Sequence, residues 1–339
     1  MKILFYDPAT PSPYTQDTLK TSALRGTETS IIRIAHALSR EHQISIAEHC
    51  RAQHETQSID GVEYITCDAA HSLNPDIVIL LRQANYLELI TTHFPKARHF
   101  FWMHNLPMRH LYTKRELIIK HGIEIIAVSD YHRLIIENRL KTVWYKNFFN
   151  KENKPPITIH TIYNPVEDDL FKDDTEWNSE QMIVTSSPYK GLAQILKHFE
   201  KLRYYFPNYQ LIIASPIKHD QKLPPNVRYL NPLPQKQLIQ YIRESFCVFY
   251  PQSERVETFG FIYAEANAVG TPVLAHNFGA AREVLSDSSQ LINGNKINNI
   301  VRTIAAWQEM RPQVTLKPIF RLSQVIEKWK RLFTVGNRS

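Results

Sequence analysis

Short apolar runs of strand-forming residues alternate with segments of helical period along most of the chain, and this alternation restricts the fold more than any other feature. Ile3–Tyr6, Ile44–Ala47, Ile77–Leu81, His99–Met103 and Ile123–Val128 read as strands. Between them Thr27–Arg40, Tyr86–Thr92, His110–Lys120 and Asp130–Leu140 read as helices, with Ile31, Ile34, Ala35 and Leu38 on one face of the first. Strands that are apolar at consecutive positions need cover on both faces, which a parallel sheet with helices on either side provides.

A second series begins near Met182. Met182–Thr185, Gln210–Ala214, Phe246–Tyr250 and Pro272–Ala275 read as strands; Gly191–Tyr205, Gln235–Arg243, Phe261–Val269 and Lys296–Gln308 read as helices. Pro165–Ser179 between the series is acidic, polar and poor in apolar residues, so it is read as the interdomain linker. A chain of 339 residues is about twice the usual domain length, and two Rossmann-like domains are expected. Their expected bounds are 1–165 and 166–318. A terminal segment 319–339 follows, in which Leu322, Val325, Ile326 and Trp329 form a helical apolar stripe.

Composition narrows the partners. No run approaches the roughly 20 apolar residues that span a bilayer, and Met1-Lys2 leads straight into a strand, so a cytoplasmic, unprocessed chain is expected. Cys50, Cys67 and Cys247 are odd in number and widely spaced, which favours neither a disulfide framework nor a zinc site. A net charge of +7 favours anionic partners: nucleotide sugars, acidic lipid headgroups or nucleic acid. Lysines and arginines are dispersed and no nucleic-acid-binding motif stands out, so no nucleic acid is expected.

The chemistry concentrates in Glu257-Thr-Phe-Gly-Phe-Ile-Tyr-Ala-Glu265, followed by Gly270-Thr-Pro-Val-Leu-Ala275. Gly260 starts a helix, Gly270 closes it, and a buried strand follows. Amides at a helix start attract a diphosphate. Glu257, just before the helix, can bond sugar hydroxyls; Glu265, about one and a half turns in, can accept both hydroxyls of a ribose. A loop acid plus a solvated helix glutamate is the plainer alternative.

This stretch resembles the Glu-(seven residues)-Glu signature of the retaining glycosyltransferases of family 4, which have the GT-B fold. The resemblance implies two Rossmann-like domains facing each other across a cleft, with the last helix crossing back to the first domain. It implies that Glu257 contacts the donor sugar, that Glu265 holds the nucleotide ribose, and that the amides of Phe259, Gly260 and Phe261 approach sugar and diphosphate. Lys190, in Ser186-Ser187-Pro188-Tyr189-Lys190-Gly191, fits the family's phosphate-binding lysine, with Ser187 as a donor-binding hydroxyl. The arginine usual five residues earlier is replaced by Thr185, leaving Arg255 or Arg282 to supply its charge. Arg25-Gly26-Thr27-Glu28 resembles the glycine-rich loop, with Arg25 in place of its first glycine; a plain helix cap by Thr27 explains the segment about as well. His104, after His99-Phe-Phe-Trp-Met, matches a first-domain histidine near the donor sugar, and Ser129 matches a serine position for which a helix cap is the better reading.

The implied reaction is glycosyl transfer with retained anomeric configuration, from a nucleotide-diphosphate sugar to a glycan, lipid-linked or other surface-glycan acceptor. Glu257, Lys190 and His104 form the expected catalytic set. No metal or other cofactor is expected, and Asp168-Asp169 and Asp173-Asp174 read as solvated linker charge. An epimerase or phosphorylase of the same fold, or a non-catalytic sugar-nucleotide-binding subunit, are the alternatives. Lys141–Lys154, with Trp144, Tyr145, Phe148 and Phe149, reads as a buried helix end with a polar loop or as a peripheral contact with an anionic membrane surface or acceptor.

Overall fold

The structure, a computed structural model, describes residues 1–108, 111–141, 157–185, 189–215 and 223–334. Ser187 and most of the aromatic and basic segment 141–154 lie outside the described residues. The chain divides into two compact units: Met1–Asp17, Arg25–Asn164 and Val325–Ser339 form the first, and Thr18–Leu24 with Pro165–Gln324 form the second. The second division therefore falls after Gln324, not after residue 318, and a short N-terminal segment belongs with the second unit.

The first unit is built on β1 (Lys2–Asp7), β2 (Gln43–Glu48), β3 (Gln57–Ile59), β4 (Val62–Thr66), β5 (Ile77–Leu81), β6 (Arg98–Trp102), β7 (Glu124–Ala127) and β8 (Ile159–Thr161). They form one sheet in the order β3-β4-β2-β1-β5-β6-β7-β8, parallel except where β3 turns back on β4. Along the chain α1 (Gln16–Thr21), most of which belongs to the second unit, is followed by the first unit's helices α2 (Gly26–Leu38), α3 (Cys67–Ala70), α4 (Leu87–His93), α5 (Arg115–Lys120) and α6 (Asp130–Lys141). Every residue of β5 is buried, as a central parallel strand with helices on both faces requires. Ile31, Ile34, Ala35 and Leu38 are all buried on α2.

In the second unit β9 (Asn178–Val184), β10 (Gln210–Ala214), β11 (Val227–Leu230), β12 (Ser245–Tyr250), β13 (Val273–His276) and β14 (Leu291–Ile292) pair in the order β11-β10-β9-β12-β13-β14, all parallel. Its helices are α7 (Leu192–Leu202), α8 (Gln235–Arg243), α9 (Phe261–Ala268), α10 (Ala281–Val284) and α11 (Ile297–Glu309). The last helix, α12 (Leu322–Thr334), puts Trp329 into the core of the first unit. There its ring meets Trp102 edge-on at 5.0 Å and Phe5 at 6.4 Å, contacts worth about 0.5–1.5 kcal/mol each beyond the area they bury.

The segment read as a linker is tied down. Val166 pairs with Arg321, whose guanidinium donates to the carbonyls of Glu167 at 2.9 Å and Leu170 at 2.8 Å. Asp168 is exposed, and its carboxylate also caps the start of α12, accepting Ser323 N–H at 3.1 Å and Ser323 Oγ–H at 3.0 Å. Asp173 pairs with Arg243 at 3.0 Å. At α2, Arg25 is the extended cap residue and the helix begins at Gly26, so Thr27 lies inside the first turn and is not the cap.

Candidate functional site

In the second unit the loops leaving β9, β12, β13 and β14 gather at the carboxyl edge of the sheet, where open parallel sheets bind ligands. Four contacts join them. Lys190 reaches Glu257, Ser253 N–H donates to Gln194 Oε1 at 2.8 Å, Ser253 Oγ meets Asn295 at 2.5 Å, and Ala280 N–H donates to the Glu257 carbonyl at 3.3 Å.

The loop after β12 owes its shape to Gln252, which is wholly buried. Its Oε1 accepts the N–H groups of Glu254 at 3.0 Å and Arg255 at 2.9 Å, and its Nε2 donates to the Arg255 carbonyl at 2.7 Å. Satisfying three backbone groups at once fixes a tight turn without water. Gly191, at φ +78°, caps α7 against this amide, and a Cβ there would lie 2.8 Å from Gln252 Oε1. The glycine thus lets the Lys190 turn approach the Glu257 loop.

Lys190 Nζ lies 3.0 Å from both oxygens of Glu257, and Tyr250 donates its hydroxyl to Glu257 Oε1 at 3.0 Å. Three residues further on, Gly260 takes φ +84° and caps α9. A Cβ at Gly260 would lie 2.5 Å from Tyr263 Cδ2, so a side chain is excluded twice, by backbone conformation and by the ring beneath. The partially positive end of α9 therefore opens three residues from the Lys190–Glu257 pair. A helix start, an ammonium and an oriented carboxylate are a set suited to a ligand with an anionic part and a hydroxylated part.

Phe259 and Phe261 contribute packing through their side chains: Phe259 is buried, 5.4 Å from the Phe320 ring and 5.6 Å from Phe261. Glu265 is also buried, in the second turn of α9. Of the two arginines considered for the missing charge, Arg282 is held by Asn277, at 2.6 Å to Oδ1 and 3.3 Å to its carbonyl, and Arg255 is exposed. The structure thus brings Lys190, Glu257 and Gly260 together and places Glu265 on the same helix as Gly260. Tyr250 and Gln252 were not read from the sequence; a tyrosine closing a buried strand just before proline was the signal for the first.

Arg25, Gly26 and His104 belong to the first unit. β1 ends at Asp7 and β2 at Glu48, while Arg82 follows β5 and His104 lies just beyond β6. Arg82 Nη2 lies 3.0 Å from Asp7 and 2.9 Å from Glu28, which sits in the first turn of the helix that Gly26 opens. Tyr14 donates its hydroxyl to Asp7 at 3.1 Å and its N–H to Glu48 at 2.9 Å. Burial lifts the Asp7 carboxyl above the usual carboxylate range, with Arg82 opposing. Arg82 has φ +63°, a strained backbone for a non-glycine residue. Burial, and then the charges of Arg82 and His132, hold the His104 imidazole well below its ordinary value, so it is neutral near pH 7. His104 is buried with its ring 4.4 Å from that of Trp102. Ser129 Oγ accepts His132 N–H at 3.0 Å, the bond of a helix cap on α6. Arg25 is exposed at the start of α2.

Residues 181–315 match the family described as Glycosyl transferases group 1. The chain is similar to the crystal structure of Anabaena HepE in complex with UDP and glucose, at TM-score 0.67 and 15% identity over 99% of this chain and 100% of that one. It is similar also to an UDP-forming α,α-trehalose-phosphate synthase from Burkholderia xenovorans, at TM-score 0.64 and 11% identity over 98% of each chain. At such identities the likeness establishes the fold, which is GT-B. An uncharacterised 41.2 kDa protein in the cps region of Klebsiella pneumoniae is 33% identical over 93 residues, a match that spans 25% of this chain and 25% of that relative.

Proposed function

We propose that this chain is a retaining glycosyltransferase of family 4 type that moves a hexosyl group from a nucleotide-diphosphate sugar to a glycan, lipid-linked or other surface-glycan acceptor. The GT-B fold, the group 1 match over residues 181–315 and the UDP bound to HepE support nucleotide-sugar transfer. The observation that carries the reading is the Lys190–Glu257 pair beside the glycine-started helix α9.

In this reading Lys190 and the amides around Phe259, Gly260 and Phe261 stabilise the departing diphosphate as its charge grows, the electrostatic contribution that dominates such a reaction. Glu257 orients the sugar and Glu265 fixes the ribose. Arg255, exposed on the same loop as Glu257, supplies the second positive charge that Thr185 lacks. Ser187, Gly26 and Arg25 bind the donor, and neutral His104 offers a hydrogen bond to the sugar. The bond to the anomeric carbon breaks toward the diphosphate, and the acceptor oxygen adds on the same face while its proton leaves with the diphosphate. No metal ion takes part. We place the protein in the cytoplasm, with peripheral contact at an anionic membrane surface where the acceptor is lipid-linked. Among the described residues no helix is long and apolar enough to cross a membrane.

A thermal-shift panel of UDP-, GDP- and ADP-hexoses, followed by product mass and anomeric configuration by NMR, tests this reading. Donor-dependent stabilisation, an added-hexose mass, retained configuration and full activity in chelator are the expected results. An inverted product sinks the retaining mechanism. Turnover without added acceptor, or dependence on inorganic phosphate, would move the assignment to an epimerase or a phosphorylase.

A further inference from the structure

Tyr250 closes an entirely buried strand, β12, and its ring is 1% exposed, yet its hydroxyl is spent on Glu257 Oε1 at 3.0 Å. Glu257 therefore has two partners of unlike stiffness. Lys190 reaches it from a side chain 36% exposed, on a stem with several rotatable bonds. Tyr250 reaches it from a ring held in the sheet and packed edge-on against Tyr263 at 5.9 Å. Tyr263 in turn fills the space under Gly260, where α9 begins.

The two partners also differ in what a ligand does to them. On the reading proposed above, a diphosphate carries more negative charge than one carboxylate and draws the Lys190 ammonium toward itself. Glu257 would then lose the contact that holds both its oxygens, just when its orientation matters. A neutral hydroxyl feels no comparable pull. We infer that Tyr250 is a positioning residue for Glu257: its hydroxyl keeps one carboxylate oxygen in place after Lys190 turns to the diphosphate, leaving the other to accept a sugar hydroxyl. No proton changes hands in this step, and Tyr250 itself touches no substrate.

The test is a double-mutant cycle on Tyr250→Phe and Glu257→Gln, using the nucleotide sugar that the wild-type chain turns over fastest in the panel and the matching nucleoside diphosphate as binding probe. Tyr250→Phe keeps the ring, and its kcat is expected to fall about 10- to 100-fold, the size of a lost hydrogen bond to a charged group. Its affinity for the nucleoside diphosphate should stay at the wild-type value, and its melting temperature should fall by no more than a few degrees, the cost of one hydrogen bond. In the Glu257→Gln background the same change should lower the residual rate less than about twofold, because a residue acting through Glu257 has nothing left to position. Equal fold losses in both backgrounds would overturn the inference, as would a wild-type kcat in Tyr250→Phe. Tyr263→Phe removes a hydroxyl from the neighbouring ring without touching Glu257 and should keep the wild-type kcat. A loss there equal to that of Tyr250→Phe would assign the effect to packing and sink the proposal. Absence of transfer from every donor by the wild-type chain would overturn the proposed function, and this inference with it.

Discussion

Lys190 and Glu257 stand 67 positions apart in the chain and meet as a bidentate pair, the ammonium 3.0 Å from each carboxylate oxygen. The lysine side chain is 36% exposed, so the pair adds little to stability; in the function proposed above it is a charge arrangement that the donor diphosphate divides.

That arrangement separates the two residues experimentally. Lys190→Ala is expected to weaken nucleoside diphosphate binding and to lower turnover about 100- to 1000-fold, the usual loss on removing a preorganised donor to developing charge. Glu257→Ala should abolish transfer with nucleoside diphosphate affinity retained, measured by calorimetry beside initial rates. Undiminished transfer by Glu257→Ala would remove the basis of the site assignment.

Gly260→Ala tests the helix start. An alanine forced to the left-handed region costs about 1–2 kcal/mol, and its Cβ, 2.5 Å from a ring carbon of the wholly buried Tyr263, adds about 1–3 kcal/mol of overpacking. The expected outcome in urea unfolding is a loss of about 2–5 kcal/mol, with weakened nucleotide binding. An unfolding midpoint equal to the wild type would show that the ring yields and the glycine is dispensable.

Much of this was legible in the sequence, for a physical reason. A buried parallel strand must be apolar at consecutive positions, so β1, β5 and β12 announce themselves. What escaped were the short edge strand β3 and its neighbour β4, which mix polar and apolar residues because part of each strand meets water. Their turn, Asp60-Gly61 with both residues at positive φ, is an Asp-Gly hairpin signal that was available to be read. Glu257 and Lys190 stand out in the sequence because each lies in a short local motif that carries the family resemblance. The partners that hold them do not. Tyr250 looks like one more apolar residue of Phe246–Tyr250. Elsewhere the cap that exposed Asp168 gives α12 depends in the same way on a distant residue, Ser323, 155 positions away.

Arg82 is the hub of the first unit's buried charges, set between Asp7 and Glu28. Arg82→Ala would leave two carboxylates uncompensated at the carboxyl edge of the sheet, and breaking a buried pair in this way costs about 3–5 kcal/mol. Both contacts are made by one nitrogen, Nη2, so Arg82→Lys, whose single ammonium can stand between the same two acids, is expected to recover part of the loss. Chemical denaturation of both variants measures this; a lysine variant no more stable than the alanine variant would show that the charge alone is not what holds the two carboxylates.

Tyr263 presents the opposite case. Among the described residues its buried hydroxyl has no hydrogen-bond partner, and its phenol is held well above the ordinary value by burial and by the nearby Tyr250 and Glu257. Removing an unsatisfied buried hydroxyl while keeping the ring should be neutral or stabilising, by about 1 kcal/mol. The melting temperature of Tyr263→Phe is therefore expected to equal or exceed that of the wild type, and a fall of several degrees would mean the hydroxyl has a partner of consequence.

His132 gives the first unit a pH dependence of known sign. Burial pushes its imidazole down to about 4 from the ordinary 6.5, and both ring nitrogens are engaged: one donates to the Asn105 carbonyl at 2.9 Å, the other accepts Val128 N–H at 3.4 Å. Protonation would set a second N–H against that of Val128. Between these two values the unfolded chain binds a proton that the folded chain refuses, so stability is complete above about pH 6.5 and drains away as the pH falls toward about 4. The contribution is about 3 kcal/mol. Buried carboxyl groups in the same unit act with the opposite sign: burial raises Asp7 and pushes Glu48 up to about 7. The measurement is therefore the difference between wild type and His132→Asn, which keeps a polar side chain that does not titrate. That difference in unfolding free energy should shrink by about 3 kcal/mol between about pH 7 and about pH 4. A difference that stays constant across the range would show that the ring is not held neutral in the folded chain.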